Sequence, residues 1–75
     1  MTASGLAHLE QVAEDAYSAM YDASDRSTAA ARYSDAKDAF RMAIEVAQEL
    51  GMIEDAKRLA ERLDHVKAVF RSQFS

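Results

Sequence analysis

Tyr33-Ser34-Asp35-Ala36-Lys37-Asp38-Ala39-Phe40-Arg41-Met42-Ala43-Ile44-Glu45-Val46-Ala47-Gln48-Glu49-Leu50 is the stretch that decides the fold. Its apolar positions Tyr33, Ala36, Phe40, Ala43, Ala47 and Leu50 recur in steps of three and four. Residues so spaced share one face of a helix, and such a face is stable only when another element covers it. The spacing therefore predicts a helix over 34–50, with Ser34 as N-cap and Asp35 in the first turn, where its charge suits the helix dipole. Gly51 follows directly and fits the left-handed position that ends a helix.

Beyond Gly51 the apolar phase restarts at Met52, Ala56, Leu59, Leu63, Val66 and Phe70, predicting a third helix over about 53–72. Glu54 and Asp55 fall in its first turn, and Lys67 and Arg71 near its end, as the dipole prefers. Before Tyr33, the residues Leu6, Leu9, Ala13, Ala16, Met20, Ala23, Ser27 and Ala30 also step by three and four, edged by Val12, Tyr17 and Tyr21. They predict a first helix over about 3–30. The polar run Asp22–Thr28 opposes it, because Ser, Thr and Asp side chains compete for backbone hydrogen bonds. Between Ala30 and Tyr33 the phase slips by one residue, which places a turn at Ala31–Tyr33. The resulting expectation is an all-α, antiparallel three-helix bundle in one domain, 1–75. Its bulky core would come from Leu6, Leu9, Met20, Phe40, Ile44, Leu50, Leu59, Leu63, Val66 and Phe70.

Composition agrees. The 75 residues contain no proline and no cysteine, two glycines, and 49% apolar residues, many of them alanine. Absence of cysteine removes disulfides and thiolate chemistry and fits a reducing, cytoplasmic setting. Met1–Gly5 lacks the basic and apolar regions of a signal peptide, and no apolar run approaches the roughly 20 residues of a membrane span.

The net charge of −4 is unevenly placed. Glu10, Glu14, Asp15, Asp22 and Asp25 meet no Lys or Arg in residues 1–25, whereas residues 51–75 carry a net +1. An acidic first helix could therefore face the basic last one, or a basic partner. The acidic balance argues against nucleic-acid binding, which needs Lys and Arg to displace counterions.

Tyr33-Ser34-Asp35-Ala36 with Phe40, Ala43 and Ile44 resembles the second helix of a tetratricopeptide repeat, and Gly51-Met52-Ile53-Glu54-Asp55-Ala56 echoes it. The echoes lie too close together for successive repeats of about 34 residues. The resemblance, covering about residues 31–56, thus implies a helical hairpin with a groove for a peptide or helix, not an array. The pattern also resembles small three-helix trafficking modules that bind helical peptides. Ala47-Gln48-Glu49-Leu50-Gly51-Met52 resembles the turn of a DNA-binding helix-turn-helix. However, Lys57 stands where that fold buries an aliphatic residue, and Glu54 and Asp55 would repel phosphates.

No chemical motif emerges. His8 and His65 lack a Glu-x-x-His partner pattern, Ser24, Ser27 and Thr28 lie in a polar turn without a nearby histidine, and no glycine-rich loop is present. No enzyme activity, metal or cofactor is expected. The expected function is a protein-interaction module with an apolar helical face and an acidic rim, contacting its partner through Tyr17, Met20, Tyr21, Phe70 and Phe74. A first helix of about 27 residues would be about 40 Å long and would overhang a second of about 25 Å, exposing apolar surface that a second copy would cover as a homodimer. The alternatives are an acidic inhibitor of a basic nucleic-acid-binding protein and a helix-turn-helix DNA-binding protein.

Overall fold

The computed structural model describes residues 3–74, so Met1, Thr2 and Ser75, and with them part of the Met1–Gly5 stretch and of the 1–75 domain span considered above, lie outside the described residues. Three helices follow one another: α1, Ala3–Asp22; α2, Arg26–Glu49; and α3, Ile53–Phe74. At about 1.5 Å per residue their lengths are about 30, 36 and 33 Å. They pack as a three-helix bundle of 38 × 18 × 13 Å.

The first boundary departs from the sequence expectation. α1 stops at Asp22 rather than near Ala30, and α2 begins at Arg26 rather than Ser34. The phase slip is real, but it sits at Ala23–Asp25. Asp25 is the N-cap, with extended φ −134° and ψ 159°. Its Oδ1 accepts from the Thr28 backbone N–H at 2.7 Å, and its Oδ2 accepts from the Thr28 hydroxyl at 3.0 Å. That cap satisfies an orphan donor that a continuous helix would have spent on its own ladder. Ser34 and Asp35 are consequently inside α2 and exposed. With helices of matched length there is no overhang, and the exposed apolar end that called for a second copy does not exist.

The second boundary is as expected. Gly51 has φ 73°, a left-handed conformation in which side chains are strained. Met52 N–H donates to Ala47 O at 2.8 Å and Gly51 N–H to Gln48 O at 3.1 Å. These two bonds form a Schellman cap and satisfy the last carbonyls of α2.

Each helix buries one stripe. On α1 it is narrow: Leu6, Ala13 and Met20, seven apart. On α2 it is Ala29, Ala36, Ala39, Phe40, Ala43, Val46 and Ala47, and on α3 Ala56, Leu59, Leu63 and Val66. The run of alanines on α2 lets both neighbours approach its backbone closely, and Phe40, Met20, Leu59 and Val66 fill the space between. Leu9, Ile44 and Phe70, expected in the core, are half-buried against it, and Leu50 is exposed beside the cap.

Three contacts fix the relation of α1 to α3. Arg58 donates to Glu10 at 2.8 Å, Arg62 donates twice to Glu14 at 2.8 Å, and the Tyr17 and His65 rings meet at 6.2 Å. Every pair is separated by 48 positions. A constant difference in number means that the two helices run parallel, as two successive hairpins require. The acidic first helix thus meets basic residues of the last one.

Candidate functional site

Contact with α3 uses one flank of α1, carrying Glu10, Glu14 and Tyr17. The other flank, together with the adjoining face of α2, remains open. There the two helices leave a groove of about 620 Å³. Its lining is mostly apolar: Leu9, Val12, Ala16 and Ala19 from α1, Ala39 and Met42 from α2. Val12 is 42% exposed and Met42 50%, one on each lip. Asp15, Arg32, Asp35 and Asp38 line the same groove. Arg32 pairs with Asp35 at 3.3 Å, and Gln11 donates to Asp15 at 2.8 Å.

The periodicity of α2 explains the charge of this lip. Asp35, Asp38, Met42, Glu45 and Glu49 step by three, four, three and four, so all four carboxylates of α2 share one row. The cations Lys37 and Arg41 fall on the opposite flank; Lys37 sits 4.6 Å above the Tyr33 ring, which stacks on Phe70 of α3. On α1, Asp22 continues the row of Asp15 two turns further on.

The residues expected to bind a partner are divided. Met20 is completely buried and belongs to the core, because it occupies the same heptad position as Leu6 and Ala13. Tyr17 is half-buried, with the Arg62 guanidinium 4.9 Å above its ring, and Tyr21 is 54% exposed beside it. Together with Ser18 and Asp22 they line a smaller hollow of about 310 Å³. Phe70 stacks on Tyr33 at 4.2 Å and tilts against Phe74 at 5.5 Å, closing the seam between α2 and α3. The aromatics therefore gather at one end of the bundle but do not form one surface. Val12 is legible in the sequence as an edge residue of the first stripe, whereas the signal for Met42 is its place in the acidic row.

Electrostatics reinforce the α1–α3 junction. The hydrogen bonds that Arg58 donates to Glu10 and then to Asp55 hold its guanidinium above its ordinary pKa, and the bond to Glu14 does the same for Arg62. The Thr28 hydrogen bonds hold the Asp25 carboxyl below the ordinary carboxylate range. Among the described residues no group of three His, Cys, Asp or Glu is placed to hold a metal ion, and no helix is long and apolar enough to cross a membrane. His8 and His65 are both exposed. Lys57, at the position a helix-turn-helix would bury, is exposed too. Comparisons with protein-family models, with curated proteins and with solved structures gave no match.

Proposed function

We propose that this chain is a non-catalytic interaction module that receives a helix of another protein in the α1–α2 groove. The observation that carries this is the pair Val12 and Met42: two large apolar side chains held half-exposed on facing lips of an apolar trough. Exposed apolar side chains grouped in one trough and rimmed by polar groups support this reading. A third helix laid against two others is the simplest way to cover it, with anchors at helical spacing. Self-association groove to groove would set acidic lips against acidic lips, so the groove is assigned to a different chain.

Selection from a displayed peptide library tests this directly. The wild-type chain is the target, and V12E/M42E, checked by circular dichroism for unchanged helicity, is the counter-target. Enriched peptides should share apolar residues at i, i+3 or i+4, and i+7 and should lose binding to the variant. Equal binding to both proteins would refute the assignment of the groove. A second reading, inhibition of a basic protein by charge alone, draws on the acidic rows. It needs the carboxylates but neither Val12 nor Met42, so V12A/M42A separates the two.

A further inference from the structure

We infer that the groove's occupant is a cationic amphipathic helix of about three turns, with an apolar strip toward the groove and Lys or Arg on both flanks. This rests on the groove being the binding surface. Charge complementarity names the chemistry. The rows along the groove and its extension on α2 carry Asp15, Asp35, Asp38, Glu45 and Glu49 against one cation, Arg32, which Asp35 already engages. That leaves four excess negative charges on this side, and no net charge on the rest of the chain.

The segregation has a structural origin. Glu10 and Glu14 of α1 are turned to α3 and paired with Arg58 and Arg62. Among the described residues the groove-side carboxylates pair with no cation of another helix, and Asp35 pairs with Arg32 within α2. Length follows from the lining. From Leu9 to Ala19 on α1 and from Arg32 to Met42 on α2 the groove spans about 15 Å, close to three helical turns. An apolar residue at each turn would lie between Val12 and Met42, and cations on its flanks would reach Asp15 on one side and Asp38 on the other. Nucleic acid and anionic membranes are repelled by the same charges.

Three model peptides decide the matter. All carry the same leucine strip at helical spacing and differ only in flanks of Lys, Gln or Glu. Each is titrated into the intact, isotope-labelled chain and followed by amide chemical shifts and by calorimetry at low and high salt. The Lys peptide should shift the amides of Val12, Ala16, Ala39 and Met42. It should bind about tenfold more tightly than the Gln peptide at low salt, as expected for two or three exposed ion pairs. Most of that advantage should vanish at high salt. The Glu peptide should not bind, and D15N/D38N should bring the Lys peptide down toward the Gln peptide. If Gln and Lys peptides bind alike at the groove, the cationic inference is overturned while the groove assignment survives. If no peptide shifts Val12 or Met42, the groove assignment itself is lost. Sedimentation showing self-association that V12E/M42E abolishes would place a second copy in the groove and overturn the inference as well.

Discussion

Phe40→Ala should lower the unfolding free energy by about 3–5 kcal/mol. Phe40 is fully buried at the middle of α2, and its neighbours on that face, Ala36, Ala39, Ala43 and Ala47, are too small to close the space it leaves. The cost is therefore the lost transfer energy of the ring plus a cavity that the alanines cannot fill. A chain of this length has a total stability of about 4–11 kcal/mol, so about a quarter or more of it would go. The midpoint of thermal unfolding should fall by at least about 12 °C. Urea denaturation followed by circular dichroism measures the effect, with Met42→Ala as the control two residues away. Met42 is 50% exposed on the groove lip, and its truncation should cost under about 0.5 kcal/mol. A loss below about 1.5 kcal/mol for Phe40→Ala, or a Met42→Ala effect of equal size, would refute the assignment of core and groove to the two faces of α2.

Three further outcomes follow from the caps and the α1–α3 junction. Gly51→Ala should cost about 1–2 kcal/mol in denaturant melts although open space surrounds the position, because the φ of 73° and not a clash is responsible; Gly51→Asn should cost less. Asp25→Ala should lower the melting temperature at neutral pH, and Asp25→Asn should largely preserve it. The folded-state pKa of Asp25 lies below its unfolded value, so its contribution is complete above the ordinary carboxylate range and is lost as the pH falls through the folded value. The melting temperatures of the wild type and Asp25→Ala should therefore converge in acid, and a constant gap down to the lowest pH would contradict the cap. A double-mutant cycle on Glu14→Gln and Arg62→Met should give a coupling of about 0.5–1 kcal/mol, since the pair is bidentate but a little over a third exposed, and added salt should shrink it.

Much of the fold is written in periodicity. The seam from Tyr33 to Ala47 and the Gly51 cap behave as their spacing predicts, and so does the α3 stripe. The break between α1 and α2 is harder to see. Ala23, Ser27 and Ala30 are small and happen to continue the first stripe in steps of three and four, so pattern alone extends the helix through them. Two local signals oppose that extension. Asp25 stands three residues before Thr28, a capping arrangement, and Ala29 lies four before Tyr33, in phase with α2. The groove is less legible still. Periodicity gives each helix an inward face but not the flank of α1 on which α3 settles. Only the repeated pairing of Glu10 with Arg58 and Glu14 with Arg62 reveals that choice, and it leaves Val12 and Met42 uncovered.

The parallel register of α1 and α3 puts Ala3 and Phe74 at opposite poles of a body 38 Å long. In most domains the ends lie near each other, so that the whole can be spliced into a host loop or circularly permuted with a short joint. This bundle would instead hold its two poles apart. A segment fused ahead of α1 and another fused after α3 would be held apart by the full length of the helices. Joining the two poles to permute the chain would take a linker of at least about 11 extended residues.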